Sequence, residues 1–522
     1  MVRSTLAALT ANVGSLASGL ARATTRSRPE ISGVTPQAVN SFLDAVAEGR
    51  FELHSLVIAR HGQILASGWY APYRAQAPHL LYSLSKSFTS TAVGFAVTRG
   101  ELRLTDKVVD FFPQQVPAKI SEHLAALNVQ HLLTMSVGHA TDTTPVVTHE
   151  HDWVRTFLAQ PVEFRPGSVF LYNSAATYML SAIVQKVTGQ RVVDYLRPRF
   201  FSVLGLPEMH WAQCPLGINT GGWGLSATTE TLMKFGQFYL QKGRWNGRQV
   251  LPSKWIADAT RFHIQQPAGP GQDLSQLELT SDWHRGYGYQ FWRCRHNAFR
   301  GDGAFGQFCI VLPEQDAVIA MTSRTMDMQG LLNLAWDHLL PGLTDASTQS
   351  DAAAGQQLHA RLAGLSLQPP VGTAATAPTP RLESTYTLEP NSLGLERLSV
   401  SWLEDTFHIG FEAGGRTHSV TSGIGSWRDG ETDLPGTPPE WTELVGVDPR
   451  PRPPTKIAVA GAWKDAQTFE MQWRYYETPH FDTVTVCLVD NRIEVTFLNS
   501  LTRMSATLHA ETRPVLKGLE SS

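Results

Sequence analysis

The chain of 522 residues is 42% hydrophobic and 17% charged, with 14 Trp and 23 Phe, which is enough for more than one large core and excludes global disorder. Its 43 Lys and Arg against 46 Asp and Glu leave a net charge of −3, without the basic excess that marks a nucleic-acid binder. No run approaches the roughly 18 consecutive apolar residues that a membrane span needs.

Residues 1–34 read as an N-terminal extension. Arg3, Arg22, Arg26 and Arg28 lie among Ala, Ser and Thr with no acid before Glu30, a composition faintly like a targeting peptide. The apolar part from Leu6 to Leu20 is interrupted by Thr10, Asn12, Gly14 and Ser15, which ill suits a secretory signal, so a cytoplasmic location is favoured over export. Residues 35–345 mix helical and strand patterns. The segment 53–70 predicts two strands around a turn at His61-Gly62. Ser83 to Val97 predicts a helix ended by Gly100; 175–189 a second, ended by Gly189; and 228–243 a third, with Glu230 in its first turn. Strands return at 286–294 and 307–323. Strands at both ends of a helical middle predict an α+β domain, one antiparallel sheet flanked by helices.

Residues 346–381 hold a short helix and a Pro/Ala/Thr linker. From 382 to 522 the apolar period becomes two, as in Phe407, Ile409, Phe411 and in Phe469, Met471, Trp473, Tyr475. A hairpin is predicted to turn at Asp490-Asn491, and the whole reads as a smaller all-β domain, a barrel or sandwich. Cys214, Cys294, Cys309 and Cys487 are scattered without metal-ligand spacing, and are expected to be free, mostly buried thiols.

The chemistry centres on Ser83-Leu84-Ser85-Lys86. Positions i and i+3 share a helix face, so the hydroxyl and the amine can meet, and a desolvated lysine with a lowered pKa can take the proton that makes an alcohol nucleophilic. Tyr172-Asn173-Ser174 follows Pro166-Gly167 and opens an apolar helix, where a phenol could relay a proton to a leaving group. Gly301 to Gly306 (GDGAFG) heads a strand, and its glycines allow close backbone approach. Taken singly, a tyrosine packed at a helix entrance and a purely geometric turn are the plain alternatives. His149-Glu150-His151-Asp152 invites a metal reading, but no second acid-His pair follows, and Asp152 reads as a helix cap before Trp153. Neither a Gly-x-Ser-x-Gly elbow nor a phosphate-binding loop occurs.

In order, Ser-x-x-Lys, Tyr-x-Ser and the glycine-rich strand head resemble the serine β-lactamase and penicillin-binding-protein superfamily. The branch most similar is that of class C β-lactamases, which includes family VIII carboxylesterases, D-aminopeptidases and 6-aminohexanoate-dimer hydrolases. The segments 82–97, 131–139, 170–189 and 221–240 read as its blocks. The resemblance implies Ser83 as acylated nucleophile, Lys86 as its base and Tyr172 as general base or acid. It also implies an oxyanion hole of the Ser83 and Ala304 N–H groups, with Ser174, Asp302 and Gly303 contacting substrate. Three positions depart from the family pattern: Gly301 stands at its Lys or His, Ser174 at its Asn, and Phe305 at its second Thr. Loss of that cation disfavours substrates with a free carboxylate. The expected activity is therefore ester or small-amide hydrolysis, with D-aminopeptidase or weak β-lactamase activity as alternatives. A non-catalytic ligand-binding or sensor module is the alternative of a different class. No metal or organic cofactor is implied. The expected partner is a small-molecule substrate, and homodimerisation is left open.

Overall fold

The computed structural model describes residues 34–344, 352–372, 381–441, 454–504 and 513–521; the sequence reading of residues 1–33 lies outside them. Six strands form an antiparallel sheet in the order Gln63–Trp69, Glu52–Arg60, Ala317–Arg324, Gln307–Leu312, Phe299–Gly303, Trp292–Arg293. The first two strands join at His61 (φ +50°) and Gly62 (φ +74°), the double left-handed turn whose twist matches that of a hairpin. Both faces of the sheet are covered, so the central strands are buried continuously, apart from Glu52 and Arg324 at their ends, rather than on alternate residues. Val57, Ala59, Val311 and Val318 face a helical lobe with Phe88, Met233 and Phe235. Leu56, Ile58, Ile310 and Ile319 face the terminal helices through Phe42, Leu43, Leu331 and Leu339.

The short helix predicted between the domains is Ala352–Ala363. Its Leu358 and Leu362 join this second core, so it packs on the first sheet. One sequence expectation is replaced: of 286–294 only Trp292–Arg293 is strand. Gly286 (φ +102°) and Gln290 (φ +65°) break the extended run. The Gln290 amide is instead buried, donating to the Leu132 and Leu133 carbonyls (3.2 and 2.8 Å) and accepting from Thr177 (2.7 Å).

The C-terminal domain is a ten-stranded barrel. Nine antiparallel pairings are joined by a short parallel one, Gly423 beside Ala460 and Ile424 beside Gly461, while the strand Arg428–Thr432 pairs on one side only. Its interior is filled by side chains, with Phe407 stacked on Phe469 at 4.2 Å and Trp473, Trp463 and Phe411 around them. The predicted hairpin joins Phe481–Val489 to Arg492–Asn499, with Asp490 at φ +53°. The barrel is fastened to the first domain through Glu52. Its carboxylate accepts from Arg324 (3.0 Å), Arg474 of the barrel (2.7 Å) and His54 (3.1 Å). Burial pushes that carboxyl up, but Arg474, His54 and Arg324 together hold it well below the usual range.

Candidate active site

Ser83 lies one turn ahead of the helix predicted for it. Tyr82–Leu84 is a 3₁₀ turn, and the α-helix begins at Ser85 and runs to Thr98. In the first turn of a helical segment a backbone N–H has no intrahelical acceptor, so the Ser83 N–H is left available. Between Leu81 and Ser90, Ser83 is the one residue not buried; between Gly301 and Leu312, Ala304 is the one. Tyr172 is likewise part-exposed beside buried Asn173 and Ser174. Ser83, Tyr172 and Ala304 are thus openings in an otherwise buried wall.

The Lys86 side chain is buried and makes three polar contacts: Ser83 Oγ at 2.9 Å, Ser174 Oγ at 3.0 Å and the Gly222 carbonyl at 2.9 Å. Burial lowers its pKa to about 7, against the opposing pull of Asp142 and Asp302. A neutral amine has two N–H donors and one lone pair. Donating to Gly222 and Ser174 leaves the lone pair for the Ser83 hydroxyl proton, which is the arrangement a base needs. The Lys86 nitrogen also lies 4.6 Å from the Tyr172 ring centroid, placed to stabilise the ammonium formed on proton uptake. Tyr172 has its pKa raised well above that of a free phenol by burial, reinforced by Asp302, against the opposing pull of Ser83. Its ring stacks on Trp292 at 5.6 Å.

The Ser174 hydroxyl, where the resemblance leads one to expect Asn, contacts the lysine. Asn173 turns inward and caps the helix Ser174–Thr188 by accepting from the Ala175 N–H (3.0 Å). Its amide donates to Thr143 (2.9 Å) and bonds His139 Nδ1 (3.1 Å), and burial takes that histidine's pKa down to about 4.

The glycine-rich strand end packs directly on the Ser83 turn. A Cβ on Gly303 would sit 2.0 Å from the Leu81 carbonyl oxygen, and one on Gly301 would sit 2.7 Å from Ser87 Oγ. A lysine or histidine side chain at 301 would have to displace the Ser87 hydroxyl. Arg300 does not take its place: its guanidinium is buried on Asp302 (3.0 Å), the Asp282 carbonyl (2.9 Å) and Cys294 Sγ (3.0 Å), over the Trp283 ring. Burial raises the Asp302 carboxyl pKa even with Arg300 against it.

Sequence reasoning missed the Gly222 carbonyl, Asn173 and Gln290. The signal for the first was the Gly221-Gly222 pair: a Cβ on Gly222 would stand 2.8 Å from the Ser174 carbonyl oxygen. Asp152 caps the helix Trp153–Ala159, accepting from the Arg155 N–H at 3.0 Å, while His149 ends the preceding helix Thr144–Thr148. Among the described residues no three His, Cys, Asp or Glu side chains gather as a ligand set, and no helix is long and apolar enough to cross a membrane. The four cysteines are free, Cys214, Cys294 and Cys309 buried and Cys487 half-buried.

The β-lactamase family profile matches residues 40–342, more than half of the chain. A 6-aminohexanoate-dimer hydrolase of Paenarthrobacter ureafaciens is 25% identical over 319 residues, covering 57% of this chain and 79% of its own. Esterase EstB of Burkholderia gladioli is 28% identical over 176 residues, covering 28% of this chain and 44% of its own. The octameric penicillin-binding protein homologue from Pyrococcus abyssi aligns over 92% of this chain and 99% of its own at 14% identity, with a TM-score of 0.46. The profile match spans the Ser83, Tyr172 and Ala304 segments together, and the chain belongs to the β-lactamase family of serine hydrolases.

Proposed function

We propose that the chain hydrolyses esters or small amides through an acyl-enzyme on Ser83. The observation that carries this reading is the buried Lys86 amine, 2.9 Å from Ser83 Oγ with its other two contacts filled by Ser174 and Gly222. As the hydroxyl attacks the substrate carbonyl, its proton passes to Lys86, and the oxyanion rests between the Ser83 and Ala304 N–H groups. Tyr172, with its raised pKa, starts as a neutral phenol and acts as a relay: it gives its proton to the leaving group as the Lys86 ammonium passes on the proton taken from Ser83, so no phenolate is left behind. Water then releases the acyl group by the reverse path.

The substrate class follows from charge. A Cβ at position 301 would press on Ser87 Oγ, and Arg300 is paired with Asp302, so neither of these two positions offers a free cation to a substrate carboxylate. The names of two relatives, an amide-dimer hydrolase and an esterase, agree with hydrolysis of an amide or an ester.

The test is steady-state hydrolysis of a short p-nitrophenyl ester, a D-alanine anilide and a chromogenic cephalosporin by wild type and Ser83→Ala. The expected result is turnover of the ester or the anilide in wild type, lost in the variant. Cephalosporin turnover exceeding both others would overturn the substrate reading, and equal turnover in Ser83→Ala would overturn the mechanism.

A further inference from the structure

Each proposed oxyanion donor is adjacent to a non-glycine residue in the left-handed region: Tyr82 (φ +48°) precedes Ser83, and Phe305 (φ +68°) follows Ala304. Bulky residues rarely hold that conformation unless their surroundings fix it. Here the surroundings come from the barrel. The turn Tyr475–His480, between the strands Thr468–Arg474 and Phe481–Val489, reaches the nucleophile turn, and the Leu80 N–H donates to the Glu477 carbonyl at 2.8 Å. The His480 ring is buried against both strained residues, edge-on to Tyr82 (5.9 Å, 82°) and to Phe305 (5.1 Å, 84°). The Tyr82 and Phe305 rings meet each other at 5.1 Å. His480 Nε2 is hydrogen-bonded to the Tyr82 hydroxyl, and its Nδ1 lies 3.4 Å from Ser500 Oγ, which itself accepts from the Phe481 N–H at 3.1 Å. Leu501 of the barrel completes the buried cluster, with Ala304, Trp441 and Met504 packed on it.

We propose that His480 of the C-terminal barrel is a positioning residue for the oxyanion hole: its ring and hydrogen bond hold Tyr82 and Phe305 in the backbone conformations that aim the Ser83 and Ala304 N–H groups. This rests on Ser83 being the nucleophile. It makes the barrel part of the catalytic apparatus through one contact, without placing any barrel residue on the reacting atoms. A misplaced oxyanion hole weakens the transition state more than the ground state, so it lowers kcat while leaving KM nearly unchanged.

The experiment uses the full chain and compares wild type, His480→Ala, Tyr82→Phe and Asp429→Asn. The last breaks another contact between the domains, the Arg74–Asp429 ion pair (2.6 and 2.9 Å), and leaves the cluster intact. Ester kcat and KM, the affinity of a phenylboronic acid probe whose tetrahedral adduct fills the hole, and thermal midpoints are measured. The expected result for His480→Ala is a kcat lower by about 10–100-fold with KM within about threefold and a parallel loss of boronate affinity. Tyr82→Phe, which keeps the ring, is expected to fall part of the way at an unchanged midpoint, and Asp429→Asn to match wild type. Wild-type kcat and boronate affinity in His480→Ala and Tyr82→Phe would overturn the proposal. If His480→Ala does not fold, Tyr82→Phe decides on the same criterion. Fluorophosphonate labelling of wild type separates the two levels. With Ser83 labelled and His480 silent, only this proposal falls; with Ser83 unlabelled, the nucleophile assignment falls and this proposal with it.

Discussion

The two domains bury different things. Around the cleft of the first domain the interior holds Lys86, Ser174, Thr177, Gln290, Arg300 and Asp302, each partnered by a hydrogen bond or ion pair, and burial shifts the pKa of Lys86 down and that of Tyr172 up. The barrel fills its interior with aromatic rings and branched aliphatics, Phe407, Phe469, Trp473, Val484 and Val486 among them. Buried polar groups cost stability unless they are matched, as Tyr475, Asp482 and Arg513 of the barrel also are, whereas apolar groups are stabilised by packing. The difference teaches where each domain acts: the first through buried polar groups at its cleft, the barrel through its rim, where the Tyr475–His480 turn meets the first domain.

The contrast breaks first at the nucleophile. Ser83→Ala is expected to abolish acylation, lowering kcat by roughly 10⁴–10⁶-fold with the thermal midpoint unchanged. Lys86→Met removes the base and is expected to cost about 10³–10⁴-fold. Activity in wild type should rise with pH through a limb near 7, because the lysine whose pKa burial lowers to about 7 must be neutral to accept the proton; the variant should lose that limb. Gly222→Ala drives a Cβ to 2.8 Å from the Ser174 carbonyl oxygen and displaces the acceptor that orients Lys86, an expected kcat loss of about tenfold. In the barrel, Trp473→Ala empties a fully buried indole site and is expected to cost about 3–5 kcal/mol in urea unfolding. It should leave the kcat of the folded fraction near wild type, and a kcat loss as large as that of Gly222→Ala would erase the contrast.

A last effect concerns pH and stability at the domain contact. Burial lowers the pKa of His54 to about 4 and of His480 to about 3, so both are neutral in the folded protein. The unfolded chain takes up these protons near pH 6.5 and the folded chain only near the lowered values. Their stabilising contribution is therefore complete above about 6.5 and is lost as pH falls below it, at about 1.4 kcal/mol per pH unit for each histidine. A urea midpoint that drops between pH 7 and 5, and drops less in His480→Gln, is the expected outcome; equal midpoints would contradict it.

Much of this was legible in the sequence because it is local. His61-Gly62 dictates its own turn, the spacing of Ser83 and Lys86 fixes their meeting, and the period of two from Phe469 to Tyr475 announces a barrel strand. What was not legible depends on chain segments far apart. The Gly222 carbonyl reaches Lys86 across 136 positions and His480 reaches Tyr82 across 398, and neither carries a local pattern. The segment 286–294 looked like a strand because its aromatics suit one. Its glutamine amide, satisfied by the Leu132 and Leu133 carbonyls and Thr177, made it a polar strap instead.

The most direct test of the Ser83–Lys86 assignment is the rate at which a fluorophosphonate labels wild type and Lys86→Met between pH 5 and 9, with the labelled residue located by peptide mass. The account predicts labelling at Ser83 that rises through a midpoint near 7 in wild type and is slow, without that midpoint, in the variant. Labelling at another residue, or a wild-type profile that Lys86→Met leaves unchanged, would contradict it.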